Sequence, residues 1–186
     1  MRTFIAIDLA PELKASLQDL VRRLKSKGGD VKWVGAHGLH LTLKFLGEIR
    51  AEEALTVEQV LREVAGRHAS FPVELRGTGV FPPGAKNPRV LWTDLEAGQA
   101  LTNLQADLEL ALEKAGFPRE ERPFRPHLTL GRVKSPRGLR ETLAELERHR
   151  ETSIGRMMVT RATFFQSTLR PTGAEYSVLA EAELQC

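Results

Sequence analysis

The tetrapeptide His-Leu-Thr-Leu occurs twice in this chain, beginning at His40 and at His127, and the chain contains only five histidines. Histidine has an ordinary pKa of about 6.5, so it can hold or release a proton near neutral pH. Two histidines in matching surroundings can therefore share the work of a proton acceptor and a proton donor. The repeat predicts a site of acid–base chemistry to which both halves of the chain contribute.

Each motif lies in a predicted strand, where successive side chains alternate between the two faces. His40 and Thr42 share one face and the leucines lie on the other, and His127 and Thr129 repeat this arrangement. If the two strands face each other across a cleft, two imidazoles and two hydroxyls surround a space that suits a tetrahedral phosphate. The pattern predicts phosphodiester cleavage by concerted proton transfer, which is easiest on a strained five-membered cyclic phosphate.

Two basic residues near the motifs extend this hypothesis. Lys44 lies two residues beyond Thr42, so strict alternation places its charge on the face that the histidine uses. Arg132 lies on the opposite face by the same rule, and a bulge at Gly131 would be needed to turn it inward. His37, in a predicted turn close to the first motif, is a further candidate.

Ordinary half-buried strands and a metal site are the alternatives. Leucine and threonine suit any half-buried sheet, and a lone inward histidine is usually a hydrogen-bonded core residue. A zinc site needs three or four protein ligands, and no third ligand accompanies either motif at a suitable spacing. The chain also lacks the glycine-rich phosphate loop of nucleotide triphosphate enzymes. We therefore expect no metal and no cofactor.

Length and composition favour a globular protein. The chain has 186 residues, of which 41% are hydrophobic, enough for one large domain or two small lobes. The net charge of +3 weakly favours anionic partners. No apolar run approaches the roughly 18 residues of a membrane span, the first residues lack a signal-peptide pattern, and Cys186 is the single cysteine. We expect a cytoplasmic protein without a membrane partner.

Hydrophobic periodicity places the motifs within two similar sets of elements. Strands are predicted over residues 3–9, 31–34, 39–46, 71–79, 89–95, 127–133, 153–165 and 175–183, with a turn at 171–173. Helices are predicted from Pro11 to about residue 24, and over 51–67, 99–115 and 139–148. Because the motifs lie about half the chain apart, we expect two strand–helix lobes related by approximate twofold symmetry.

The chain resembles the two-histidine (2H) phosphoesterase superfamily, which is defined by paired His-x-Thr-x motifs. Within it, the chain is similar to the bacterial and archaeal RNA 2′,3′-cyclic phosphodiesterases, also called 2′-5′ RNA ligases (ThpR/LigT). The similar segments are RTFIAIDL, HLTLKFLG, GVFPPGAKNPRVLW, FRPHLTLGR and QSTLRPTGAEYSVL. The resemblance implies an α+β fold in a single bilobal domain, 1–186, with two pseudo-twofold-related antiparallel sheets facing a central cleft and helices on the outside.

The resemblance also implies a role for each site residue. His40 would donate a proton to the leaving 3′ oxygen, and His127 would accept a proton from water, which leaves an RNA 2′-phosphate. Thr42 and Thr129 would hold the phosphate, with Arg132 as a further contact to it.

One departure from the family lies beside that arginine. The residue before it is often alanine in the family and is Gly131 here. We expect the glycine to loosen the placement of the arginine.

The implied partner is RNA with 2′,3′-cyclic phosphate ends, tRNA halves included, bound by a monomer. The reverse reaction, 2′-5′ ligation of tRNA halves, is a secondary capability of such proteins.

Two other functions are compatible with the same motifs. The protein could hold phosphorylated RNA ends without turnover, although lysine or arginine would serve a plain anion site at every pH. It could also cleave 2′-5′-linked oligonucleotides or small cyclic nucleotides. Base preference would depend on loops near 81–88 and Arg125, and on stacking by Phe45, Phe81 or Phe124, each of which could instead pack in the core.

Overall fold

The computed structural model describes residues 1–171 and 173–186. Its strands are β1 (Arg2–Asp8), β2 (Val31–Trp33), β3 (His40–Glu48), β4 (Phe71–Phe81), β5 (Val90–Glu96), β6 (His127–Val133), β7 (Ser153–Val159), β8 (Arg161–Arg170) and β9 (Gly173–Glu183). Its helices are α1 (Pro11–Lys25), α2 (Ala51–Ala65), α3 (Gly98–Lys114) and α4 (Leu139–Arg148). Within the described residues, no helix is both long and apolar enough to cross a bilayer.

The strands form two antiparallel sheets, and each sheet contains one of the two motifs. The first sheet has the order β3-β1-β8-β9 and the second has the order β2-β6-β5-β4-β7. Helices α2 and α3 pack against strands of the first sheet, while α1 and α4 pack against strands of the second. The predicted α+β fold with two related sheets and flanking helices is confirmed.

The leucines of both motifs anchor their strands in one hydrophobic core. Leu41, Leu43, Leu128 and Leu130 are all buried there. Helix α1 contributes leucines at helical spacing to the same core, and its apolar face follows from that spacing. Burying each leucine stabilises the fold by about 1.5–3 kcal/mol, so the core face of each motif strand is firmly anchored.

One predicted strand was wrong. The run 153–165 is two strands, because the chain leaves β7 at Val159 and enters β8 at Arg161. Strand β7 pairs with β4 in the second sheet, whereas β8 pairs with β1 in the first. Hydrophobic alternation cannot reveal that a continuous run crosses from one sheet to another. The turn predicted at 171–173 includes Thr172, which lies outside the described residues.

Strand β3 contains one extra residue within its motif. Thr42 and Lys44 pair with consecutive residues of β1, which leaves Leu43 as the bulge residue. Leu43 and Lys44 are therefore both buried, and the next residue, Phe45, returns to the face of Thr42. The expectation that Lys44 shares the face of the histidine was wrong, because alternation fails at the bulge.

Strand β6 contains the equivalent extra residue. Thr129 and Gly131 pair with consecutive residues of β5, so the bulge consists of Leu130 and Gly131. Both are buried, and Arg132 is exposed on the face of Thr129. The bulge that alternation needs beside Gly131 is therefore present, with Leu130 as its extra residue, and it places Arg132 on the cleft face of β6.

The space beside Gly131 is filled by its neighbours on β2. A Cβ atom at this position would lie 2.6 Å from Val31 Cγ1 and 2.9 Å from Trp33 Cε3. These distances are too short for a side chain, so the glycine lets β2 pack closely on the bulge. The expected effect of this glycine on the placement of Arg132 stays a prediction.

Lys44 forms a buried ion pair, and it is also among the residues that line the cavity between the two motifs. Its ammonium group binds the carboxylate of Glu109 on α3, and the two side chains are 4% and 8% exposed. Lys44 Nζ also donates to the carbonyl oxygen of Pro118 at 2.6 Å, and Glu109 accepts from the backbone N–H of Glu120 at 2.6 Å. The pair thus joins β3 and α3 to the loop 115–126, which leads into the second motif.

Replacing Glu109 by glutamine tests the importance of this pair. The substitution leaves the Lys44 ammonium buried without its counter-charge, so we expect the free energy of unfolding to fall by about 3 kcal/mol in chemical denaturation. Glu58→Gln is the matched control, because it removes an exposed ion pair with Arg62 on α2 and should change stability by less than about 0.5 kcal/mol. Equal losses in the two variants would contradict this account.

Candidate active site

The two motifs meet at a cavity of about 510 Å³. The lining includes the four side chains that the repeat predicted to converge, namely His40, Thr42, His127 and Thr129. Strands β3 and β6 supply them, and the loop 115–126 closes another side. Arg132 lies on the same face of β6 but outside the residues that line this cavity.

His40 lies against a group of aromatic side chains on its own sheet. The imidazole stacks on Phe4, with ring centroids 4.7 Å apart and planes inclined by 24°. Tyr176 approaches it edge-on at 5.1 Å, and Phe165 lies 6.0 Å away. These contacts fix the plane of the ring and remove most of its hydration.

Burial has a clear effect on the ionisation of His40. Desolvation lowers the pKa of His40 from 6.5 to about 4, because the charged imidazolium loses its hydration. The carboxylate of Asp8, which pairs with His40 across the sheet, raises this pKa, and Lys14 lowers it. Lys14 Nζ lies 2.7 Å from Asp8 Oδ1, so the lysine offsets the effect of the carboxylate. His40 is therefore neutral at pH 7 when the cavity holds no anion.

His127 is held differently, by a hydrogen bond to a nearby backbone carbonyl group. Its ring Nδ1 lies 2.7 Å from the carbonyl oxygen of Arg125. A carbonyl oxygen only accepts hydrogen bonds, so Nδ1 carries the proton in the neutral imidazole and Nε2 keeps its lone pair. The ring is exposed, with Trp92 edge-on at 6.5 Å between centroids. The two histidines therefore differ: His127 is exposed and keeps a free lone pair on Nε2, whereas the ring of His40 is largely buried.

The remaining lining of the cavity is mixed in character. Arg122, Phe124 and Arg125 come from the loop 115–126, and Phe45 faces the cavity from β3. Phe81 lies at the end of β4, outside this lining. His37 is exposed in a short 3₁₀ turn and does not contribute.

Two features of the site were not predicted from the sequence. The aromatic group around His40 joins Phe4, Phe165 and Tyr176, which are far apart along the chain. Alternation in β1 would have placed Phe4 on the face of His40, but only the sheet order identifies the other two. The second feature is the Arg125 carbonyl, a backbone group that has no signal in the residue types.

The metal alternative gains no support from the described residues. Among them, no group of three or more His, Cys, Asp or Glu side chains is arranged to hold a metal ion.

Comparison with known proteins identifies the family. The 2′-5′ RNA ligase superfamily matches residues 10–169. The RNA 2′,3′-cyclic phosphodiesterase of Methanothermobacter thermautotrophicus is 37% identical over 181 residues, which are 95% of each chain. The enzyme of the same name from Thermotoga maritima is 36% identical over 186 residues, 100% of this chain and 96% of the relative.

Solved structures agree with the sequence relatives. The crystal structure of a Thermus thermophilus protein matches with a TM-score of 0.82 and 32% identity, covering 100% of this chain and 98% of the other. Escherichia coli LigT in complex with 3′-AMP matches with a TM-score of 0.72 and 26% identity, covering 98% of this chain and 97% of the other. The resemblance inferred from the sequence is confirmed, and the chain belongs to the 2′-5′ RNA ligase superfamily of two-histidine phosphoesterases.

Proposed function

We propose that the protein hydrolyses RNA 2′,3′-cyclic phosphate ends to 2′-phosphomonoesters, using two histidines and no metal ion. The observation that carries the proposal is the convergence of His40, Thr42, His127 and Thr129 on one cavity, one pair from each sheet. The names of the relatives support the substrate class. The complex of LigT with 3′-AMP supports a nucleotide as the class of ligand.

His127 is the proposed proton acceptor. Its Nε2 lone pair takes a proton from water, and the water oxygen forms a bond to phosphorus. The hydrogen bond from Nδ1 to the Arg125 carbonyl supports this role, since it fixes the tautomer and stabilises the imidazolium that forms.

His40 is the proposed proton donor to the leaving 3′ oxygen. As the bond from phosphorus to that oxygen breaks, the proton of His40 moves to the oxygen, and the phosphate remains on the 2′ oxygen. Because burial keeps the pKa of His40 near 4 in the free protein, the donor must gain its proton together with the substrate. The negative charge of the phosphodiester raises the pKa of His40, because a nearby anion favours the imidazolium form.

Thr42 and Thr129 are the proposed ligands of the phosphate, as hydroxyl donors to its non-bridging oxygens. Arg132 lies on the same face of β6 and is a proposed further contact for the charge that develops on those oxygens. The reverse reaction would join a 2′-phosphate to a 5′ end, as in ligation of tRNA halves. We propose that the protein acts as a cytoplasmic monomer with the single domain 1–186.

Removing either histidine tests the mechanism. We expect His40→Asn and His127→Asn each to lower kcat/KM by roughly 10²–10⁴, because each removes one proton transfer. The assay uses an oligoribonucleotide that ends in a 2′,3′-cyclic phosphate, with a chelator present, and identifies the product by chromatography. The chelator should not change the rate, and the product should be the 2′-phosphate.

The matched control is His37→Asn, which replaces an exposed histidine outside the cavity and should keep full activity. Thermal unfolding of all three variants checks that they are folded. Near-normal activity in either cavity variant would exclude the two-histidine mechanism, and a 3′-phosphate product would reverse the choice of leaving oxygen.

The donor role of His40 makes a separate prediction about its ionisation. In an NMR titration, the His40 ring should titrate near pH 4 in the free protein. Saturating inorganic phosphate should raise the pKa of His40 by roughly one to three units, because an anion within a few ångströms stabilises the imidazolium. An unchanged titration of His40 in the phosphate complex would contradict its role as donor.

A further inference from the structure

Trp92 forms part of the cleft surface beside His127. It lies on β5 opposite Thr129 of β6, and Asp94, two residues further along, lies opposite His127. Residues that lie opposite each other in a sheet share a face, so Trp92 and Asp94 are on the face that carries the second histidine. The indole meets the His127 ring edge-on, with 6.5 Å between centroids, yet neither Trp92 nor Asp94 lines the cavity of the motifs. His127 therefore separates that cavity from a second surface.

One face of the Trp92 indole is supported by the backbone of β4. Gly79 lies opposite Trp92, and a Cβ atom at Gly79 would lie 2.7 Å from both Cε2 and Cη2 of the indole. Only glycine lets the ring lie this close to the strand. Within residues 1–171 and 173–186, no aromatic ring stacks on the indole, and Trp92 is half-buried. The ring is thus fixed on one side and available to a ligand on the other.

Two further cavities border the indole. Their volumes are about 430 and 410 Å³, and both are lined by Thr78, Trp92 and Arg150. Volumes of this size lie within the range of small-molecule sites. The space beside Trp92 can therefore receive a ligand as large as a nucleoside.

The charges around these two cavities do not favour a phosphate group. The lining contains two arginines and four carboxylates, namely Arg76, Arg150, Asp94, Glu96, Glu147 and Glu151. Both arginines are already paired, Arg150 with Glu147 and Arg76 with Glu74, at 3.1 Å in each case. The surplus of carboxylates repels an anion, whereas the hydroxyls and base edge of a nucleoside find donors and acceptors. A nucleotide bound here would therefore place its phosphate in the cavity of the motifs.

The proposed mechanism identifies which nucleoside this surface can bind. When the 5′ hydroxyl of a second RNA strand takes the place of water, its proton passes to His127 Nε2 and its oxygen forms a bond to phosphorus. The bond from phosphorus to the 3′ oxygen breaks, and that oxygen takes the proton of His40. The product is a 2′-5′ linkage. The attacking strand must therefore approach from the side of His127, where Trp92 lies.

We propose that Trp92 is the platform for the nucleoside that carries the attacking 5′ hydroxyl, which makes this surface the acceptor site for a second RNA strand. The inference deepens the proposed function and rests on it for the direction of attack. Stacking on the indole tolerates every base, since every base has a π-face. The acceptor site therefore holds the 5′ hydroxyl near phosphorus without selecting a sequence.

Equilibrium binding of two isomers tests the acceptor site without requiring turnover. With its phosphate in the cavity of the motifs, adenosine 5′-monophosphate places its base on the side of His127, whereas adenosine 2′-monophosphate places its base away from His127. Measured by titration calorimetry, Trp92→Ala should raise the Kd of the 5′ isomer about tenfold, within the range of base–aromatic stacking. The Kd values of the 2′ isomer and of inorganic phosphate should change less than about twofold, which also shows that the variant is folded.

Fluorescence gives a second readout that leaves Trp92 in place. The chain has two tryptophans, so Trp33→Phe leaves Trp92 as the single indole. The 5′ isomer should quench the emission of Trp92, because a base stacked on an indole quenches it, and the 2′ isomer should have less effect.

Phe81→Ala is the matched control, since Phe81 is 51% exposed and lies outside all three cavities, and it should leave every Kd unchanged. The inference is overturned if Trp92→Ala leaves binding of the 5′ isomer unchanged, or if it weakens both isomers equally. Hydrolysis of the cyclic phosphate by the unaltered protein is measured separately. A protein that binds the 5′ isomer through Trp92 but does not turn over would refute the proposed function and leave the acceptor site standing.

Discussion

One extra residue directly after the threonine of each motif determines which of the following side chains reach the cleft. Without the bulges at Leu43 and Leu130, alternation would place Lys44 on the cleft face and Arg132 in the core. With them, each strand presents a histidine and a threonine, turns two residues inward, and then presents one more side chain. Alternation gives the cleft face its matched histidine and threonine pairs, and the same local deformation in both sheets adds the two unlike residues that follow them.

The residues turned inward differ between the sheets, and the difference has structural consequences. On β6 the inward residue is Gly131, whose lack of a side chain lets β2 pack closely on the bulge. On β3 it is Lys44, which is stabilised in the core by its pairing with Glu109 and by the Pro118 carbonyl. An isolated buried ammonium would cost several kcal/mol, so the pair joins the stability of the core to the position of the loop that precedes His127.

The sequence predicted the fold class, the two sheets and the convergence of the four motif side chains, because hydrophobic alternation and an exact repeat are both local signals. It failed where a signal depends on pairing between strands. The burial of Lys44 follows from a register shift against β1, and the division of 153–165 follows from the sheet to which each part pairs. The low pKa of His40 follows from burial of its ring, and the rings that pack on it, Phe4, Phe165 and Tyr176, come together when the sheet forms. The bulge that was named as the condition for Arg132 is present, whereas contact of Arg132 with the phosphate stays a prediction.

The group that orients His127 belongs to the backbone. The carbonyl oxygen of Arg125 is present whatever side chain occupies position 125, while the Arg125 side chain itself borders the cavity. The tautomer of His127 is therefore insulated from substitutions that change the side chain at position 125. The cavity wall can change at this residue during evolution without disturbing the nitrogen that we propose as the proton acceptor.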